Sequence, residues 1–551
     1  MARFILILYA LLVSIVSNFA ADPDIPLARK LIREARDLCG ASCEIVAEFG
    51  AAQAKAGDLK ASKKSFAEAW DAAMKLKDGV ERRMVLNEIA TLQAQAGQIK
   101  EAIKAVQRFP SSYEQAMALS TIAFAQAEKG EAKAAQQTVD LIPTEEIWQR
   151  NFTPQMIVIS LSNRRDFAGA IRVLNLIPGD IELAKKILAR NVPMEQLNPQ
   201  EQTIVEQSMM KFAGLITIAQ DQAKAGYLKT ALQTARRIGL DSHRDIGLMR
   251  VARVAADSGD LKVAQAAFKE IRGQEQKEYA LVRLVSAMAK QGRFKEARDI
   301  AETIKDPNNK AVAFFEMAAA RAAHGDAKTT RLLYQNASLL NPSDNEAHNA
   351  AAIQIVVAFL QSSHLELAEA FTREINDPGT LSEAFEKVAA TKWRIQKISD
   401  ARRLFDKSRQ AAQDIAESYQ KCVRLRELAI VQFEAGDRRE AKTTIALAVI
   451  AARKIEIGGG SDVIALTETA TTQSVIGDRD SAIASFEIAR VTASRYPDKA
   501  YVAQLLQDVT FAQVRVGDVE TAIQSARRQE SALSRSRMLL GVANAILSQP
   551  K

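Results

Sequence analysis

The sequence predicts an all-α chain of about thirteen stacked helix–turn–helix units, and three observations lead there. A hub position recurs every 33 to 41 residues, with one gap of 61, at Gly57, Gly97, Gly130, Arg165, Gly226, Gly259, Gly292, Gly325, Ser363, Gln396, Gly436, Gly477 and Gly517. Five residues after the hub stands an alanine in eleven of the thirteen units, Ser62 and Thr330 being the exceptions, so a small side chain is required there. The remaining composition favours Ala, Leu, Gln, Glu, Lys and Arg, all good helix formers, while the 24 glycines and 13 prolines are sparse and fall at regular places.

Each element of the unit has a physical reason. Leucines recur eleven residues before the hub (Leu86, Leu119, Leu215, Leu248, Leu281, Leu425, Leu466, Leu506), branched apolar residues eight before it (Ile89, Ile122, Ile218, Val251) and alanines seven before it (Ala90, Ala123, Ala219, Ala252). Separations of three and four put these on one face of a first helix, here helix A. The hub glycine permits the positive φ that closes a helix C-terminus. An acid often follows it, as at Asp58, Asp260, Asp326, Asp437, Asp478 and Asp518, suited to capping the next helix. Helix B then carries the small residue and a larger one on the same face, such as Phe66, Val106, Val139, Phe268 or Phe486, before a proline such as Pro110, Pro143, Pro178, Pro307, Pro342, Pro378 or Pro497 ends it. One such pair cannot bury its apolar faces alone, so neighbours must stack into a quasi-one-dimensional core.

These residues resemble tetratricopeptide repeats, whose period is about 34 residues and whose two helices carry large, leucine and small positions around a turn glycine at these spacings. The resemblance covers residues 42–549 apart from one interruption and implies a right-handed superhelical solenoid. The chain departs from the pattern in two ways. Gln53, Gln93, Gln126, Gln222, Gln432, Gln473 and Gln513 occupy a place where the family often has tyrosine, and units near Gly97, Gly436, Gly477 and Gly517 lengthen to 40 or 41 residues, about two extra helical turns. The expected organisation is a signal peptide over 1–21, an N-terminal cap helix over 22–41, repeats over 42–177, a helical insertion acting as a joint over 178–210, and repeats over 211–549. The glycine run in IGGGSD, Ile457 to Asp462, lacks the Lys and Ser/Thr of a phosphate loop and reads as a turn between helices.

The apolar run FILILYALLVSIV, Phe4 to Val16, is short for a membrane span and suits a secretory signal peptide, so the protein is expected to be exported to the periplasm or secreted; the alternative is an uncleaved N-terminal anchor. Cys39 and Cys43, in DLCGASC, are candidates for a disulfide in an oxidising compartment, with two free thiols or metal and redox chemistry as the other readings. Cys422 lies on an amphipathic helix and reads as a small buried side chain. The four histidines, His243, His324, His348 and His364, show no metal-ligand spacing, and the sequence has no nucleophile elbow, metalloprotease motif or dinucleotide fingerprint, so neither a metal, a cofactor nor an enzyme is expected.

The formal charge of +8 is a mild bias on a chain rich in both signs. In the resembling family, ligands lie in a groove lined by helix A. Its positions six and two before the hub hold Phe124, Lys224, Arg253, Lys290, Arg394, Phe511 and Arg515 among small residues. None of the thirteen units has asparagine six before its hub, which excludes the carboxylate-clamp form of the groove. The best candidate partner site is the basic run Lys224, Arg250, Arg253, Arg283 and Lys290, in three consecutive units, suited to an acidic protein or peptide; ordinary solvated side chains are the plain alternative. The reading is an exported, non-enzymatic scaffold that binds a protein segment. The competing classes are a helical-repeat nucleic-acid binder, which the wandering unit length disfavours, and an enzyme with its site in 178–210.

Overall fold

The computed structural model describes residues 24–38, 43–77, 79–109, 111–177, 179–456 and 458–549. The expected leader over 1–21 and Cys39 lie outside the described residues, as do Pro110 and Pro178, and Cys43 is described only as the first residue of a helix, so the expected Cys39–Cys43 pairing lies outside them too.

Among the described residues every regular element is helical, and helices A and B alternate around the expected hubs. All thirteen hubs have positive φ. The ten glycines lie between 74° and 99°, and Arg165, Ser363 and Gln396 take 65°, 64° and 65° without glycine's freedom. The hub amide bonds three residues back and the next amide five back, as in Gly226 N to Ala223 O (2.9 Å) and Tyr227 N to Gln222 O (2.9 Å), the paired closure of a Schellman turn. Even at Arg165 the same two bonds form, to Ser162 and Leu161, both at 2.9 Å.

Three of the seven glutamines four residues before the hub accept a hydrogen bond from a hydroxyl on helix B twelve residues later: Gln53 from Ser65 (2.8 Å), Gln126 from Thr138 (2.7 Å) and Gln222 from Thr234 (2.7 Å). Gln513 instead accepts from Arg490 (2.7 Å) and donates to Asp518 (2.7 Å). In the three hydroxyl pairs both partners are buried, so each pair is a polar lock between the two helices, satisfied internally. The small residue five after the hub is what allows this approach. Ala264 and Ala297 are 2% and 0% exposed, and replacing either with Leu is expected to overpack the pair and cost about 1–3 kcal/mol, read as a lowered urea midpoint in circular dichroism.

Two expectations about helix ends are corrected. Pro307 and Pro378 do not end helix B; each opens the following helix A, after the capping residues Asp306 and Asp377, where a proline's missing amide costs nothing. Of the acids after the hub, Asp58, Asp260 and Asp326 cap the next helix with their side chains, whereas Asp437 accepts from Arg402 (3.2 Å) and Asp518 from Gln513 (2.7 Å). The lengthened units put their extra turns in helix B: Leu59–Ala73, Ile398–Asp414, Arg438–Ala452 and Arg479–Ala493 have 15 to 17 residues, against 9 in Leu228–Arg236 and Phe294–Glu302.

The chain forms two compact units, one of Lys77–Ala351 and one made of the residues up to Leu76 together with those from Ala352. In the first, the A helices Val80–Gln95, Ser112–Glu128, Ile147–Asn163, Pro199–Lys224, Asp241–Asp257, Gln274–Lys290 and Pro307–Ala323 pack each on the next. The 178–210 segment lies inside this unit and not at a joint. It contributes one short helix, Ile181–Leu188, a 3-10 turn at Met194–Gln196, and the first half of Pro199–Lys224, a continuous 26-residue helix that the expected boundary at 210 would cut. Ala184, Ile187, Leu197 and Val205 give the segment a small core of its own, while Ile147–Asn163 still packs directly on Pro199–Lys224, so the stack runs through.

The second unit includes the helix of the segment expected as an N-terminal cap. This helix, Ile25–Leu38, buries Ala28, Leu31, Ile32 and Ala35 in the same core as Leu539, Leu540, Val542 and Ala543 of Ala532–Leu547.

Candidate functional site

The five basic residues picked from the sequence stand on three consecutive A helices of the Lys77–Ala351 unit: Lys224 on Pro199–Lys224, Arg250 and Arg253 on Asp241–Asp257, and Arg283 and Lys290 on Gln274–Lys290. Side-chain contacts run across these helices. Arg250 donates to Gln220 Oε1 (2.8 Å), and Lys224 pairs with Asp221 (3.2 Å). The Arg283 guanidinium lies 5.7 Å from the centre of the Tyr279 ring, on its own helix. On the next helix, Pro307–Ala323, Glu316 faces Arg283 (3.7 Å) and Lys290 (3.8 Å) and accepts from the Ser286 hydroxyl (2.6 Å).

The site is therefore a mixed-charge ladder and not a bare basic patch. Tyr279 and Glu316 were missed in the sequence, although Glu316 stands nine residues before Gly325, as Arg250 and Arg283 stand nine before Gly259 and Gly292. Burial works to raise the Tyr279 hydroxyl, but the nearby Arg283 and Arg253 guanidiniums outweigh it and hold the phenol below its usual range. Burial works to lower Arg283, and Tyr279, Glu316 and Asp257 overcome it, so the guanidinium is held more firmly charged than usual.

At the other end of the same unit, the early turns of the A helices expose large apolar side chains: Met84 is 68% exposed, Tyr113 44% and Trp148 53%. The Arg83 guanidinium lies 6.0 Å from the Tyr113 ring centre, and Trp148 stacks on Phe152 with centroids 4.6 Å apart. These positions, 13 or 17 residues before their hubs, carried no signal beyond hydrophobicity. Phe124, half-buried on Ser112–Glu128, belongs to this unit as well.

The remaining groove positions, Arg394, Phe511 and Arg515, belong to the other unit. There Arg394 helps line a cavity of about 670 Å³ between three A helices, with Gln361, Glu386, Lys387, Thr391 and Glu434. Burial pushes the Glu434 carboxyl above its usual value. Cys422 is buried and free, as expected, and its thiol is pushed up by burial.

Three histidines are engaged with aromatic rings: His243 with Phe212 (5.5 Å), His324 with Phe294 (5.2 Å) and His348 with Phe315 (5.5 Å). Burial lowers the His243 pKa. The unfolded chain then takes up this proton first, so the stability tied to neutral His243 is intact above about pH 6.5 and is lost as pH falls through the lower folded value. Replacing His243 with Gln is expected to flatten that part of the acid loss in urea melts run at successive pH values. Among the described residues no group of three or more His, Cys, Asp or Glu is placed to hold a metal ion, and no helix is long and apolar enough to cross a membrane.

The hub geometry, the alternating helix pairs and the A-on-A stacking define an all-α helical-repeat fold. No family model matches the chain, and no curated protein matches it. Among solved structures it is similar to a chain of the APC/C hetero-tetramer Cut9–Hcn1 (12% identity, 92% of this chain and 96% of that one, TM-score 0.23). It is also similar to a circular tandem repeat protein with novel repeat topology (13%, 95% and 97%, TM-score 0.14) and to a monomeric mutant of IFIT1 with Gppp-AAAA (11%, 82% and 94%, TM-score 0.24).

Proposed function

We propose that this protein is an exported, non-enzymatic scaffold that binds a segment of another protein along the A helices of the Lys77–Ala351 unit. The observation that carries the reading is the run of contacts between adjacent A helices, Arg283 and Lys290 with Glu316 and Arg250 with Gln220, the last from the helix that also carries Arg253. Repeat faces of this kind bind by area and pattern. The segment that fits is acidic where it meets Arg250 and Arg253, which have no carboxylate within ion-pair distance among the described residues, whereas Arg283 and Lys290 already face Glu316. The exposed Met84, Tyr113 and Trp148 supply apolar anchors of the type that dominates binding energy.

The test is a photo-crosslinking residue placed at Arg250 in the native envelope, with the same residue at Lys262, an exposed position on a helix B, as control. A protein captured at Arg250 and not at Lys262 supports the reading; equal capture at both, or none at either, overturns it. With the captured partner in hand, reversing Arg253 and Lys290 to Glu is expected to weaken binding roughly ten- to hundredfold at low salt and less at high salt, with the helical signal retained. Export is tested separately, by a reporter fused after residue 30, whose retention in the cytoplasm would remove the compartment from the proposal.

A further inference from the structure

The helix Ile25–Leu38 carries the register of a helix B. If Ala28 is counted as the small residue five after a hub, Ile32 falls nine after it and Ala35 twelve after it, the places taken by Phe66 and Ala69, by Phe486 and Ala489, and by Ile445 and Ala448. Ala28, Ile32 and Ala35 are all 0–1% exposed, as those residues are. Ala532–Leu547, against which this helix packs, carries the register of a helix A: Leu539, Val542 and Ala543 repeat the spacing of Leu86, Ile89 and Ala90.

The polar contacts repeat as well. Between neighbouring B helices Arg236, ten after its hub, pairs with Glu270, eleven after the next, and Arg527, ten after Gly517, pairs with Glu34, eleven on the count that places Ala28 at five. The Ser536 hydroxyl donates to the Ala35 carbonyl (2.8 Å), and Arg537 joins Glu48 of Cys43–Lys55 (2.9 Å) to Gln504 and Gln507 of Lys499–Arg515 (2.8 and 3.0 Å). Residues some 500 positions apart thus make one ordinary repeat unit.

We propose that this composite pair is an exchangeable latch: the face of Ala532–Leu547 is a docking surface for a helix with the Ile25–Leu38 pattern, filled in cis by the chain's own helix and in trans by that of a second copy. The occupant is fixed by the match itself. The small residues, the Ile32 contact and the Glu34 partner for Arg527 are all specified by this sequence, and the same two elements that meet within one copy meet without alteration between two. Exchange requires only that the helix leave its own partner, and it creates no contact absent from the single chain.

The experiment places Glu34→Cys and Arg527→Cys in a full chain whose Cys39, Cys43 and Cys422 are replaced by Ser. A short bismaleimide, which bridges two thiols about as far apart as the backbones of an arginine–glutamate pair, is expected to give an intrachain crosslink in dilute protein. Two differently tagged copies, mixed at high concentration, warmed gently and then treated with the same reagent, are expected to give a crosslinked pair carrying both tags, at several times the yield of dilute mixtures. Absence of the intrachain bond would overturn the composite pair, and an intrachain bond with no two-tag product at any concentration would overturn exchange. A labelled peptide of residues 24–38 supplies an independent reading. It is expected to bind a chain beginning at Cys43 at least about tenfold more tightly than the full chain, and equal affinity for both would count against the docking surface. If the shortened chain does not fold, the crosslinking result stands alone and still decides.

Discussion

Replacing Arg424 with Ala is expected to cost about 3–5 kcal/mol, because it strands a buried carboxylate. Arg424 is 8% exposed on the helix A Ser418–Ala435, where it pairs with Glu386 of Pro378–Arg394, itself 6% exposed, and also donates to the Ser382 hydroxyl (3.1 Å) and to Glu427 (2.7 Å). Burial pushes the Arg424 pKa below its usual value, and the carboxylates of Glu427 and Glu383 oppose that shift. In the variant Glu427 still reaches solvent, but Glu386 has lost its counter-charge. Replacing both partners at once, Arg424→Met with Glu386→Leu, is expected to recover most of the loss, since the pair's strength is largely offset by its own desolvation. Urea melts of Arg424→Ala and of the double variant check both statements; a double variant as unstable as Arg424→Ala would point to lost packing of the arginine stem.

The contrast between what could and could not be read from the sequence follows from the range of the interactions involved. The hub closes a local turn, and its demand for positive φ is met within six residues, so Gly57 or Gly292 announces it directly and even Arg165, Ser363 and Gln396 could be placed by spacing. The recurring glutamines were visible, but the locks that three of them form were not, because the hydroxyl accepted from at Ser65, Thr138 or Thr234 sits on the other helix and alternates between two residue types. The insertion misled because Pro193 and Pro199 read as punctuation, whereas Pro199 is the first residue of a helix capped by Asn198 and continuous through Lys224. The ladder was half legible: five basic residues were found by counting, while Glu316, which partly neutralises them, needed the neighbouring helix to be in place. Least legible was the role of Ile25–Leu38. Its helix-B register is plain once Ala532–Leu547 is beside it, yet no local pattern connects Ala28 with Leu539.

Truncating Phe486 to Ala is the other change expected to cost about 3–5 kcal/mol. This ring is 1% exposed, nine residues after Gly477, on the same face as Ala482, which is small enough to let the two helices of the unit approach. The two positions work together: the alanine brings the backbones close and the aromatic ring fills the space that opens one turn later. The equivalent place holds Phe66, Phe405, Ile445, Val106 or Val139 in other units, all nearly or fully buried, so its volume varies with the neighbours that surround it. Phe486→Leu is then expected to cost less than about 1.5 kcal/mol, since most of the volume remains, whereas Phe486→Ala leaves a cavity that the flanking helices cannot close without breaking their own packing. Because stacked repeats exchange stabilisation only with their neighbours, the loss should be local. Amide hydrogen exchange is expected to speed up in Ser461–Val475, Arg479–Ala493 and Lys499–Arg515, while Asp241–Asp257 and Gln274–Lys290 in the other unit keep their protection. Uniform acceleration across both units would mean that the chain unfolds as a single cooperative body, and the nearest-neighbour account of its stability would fail.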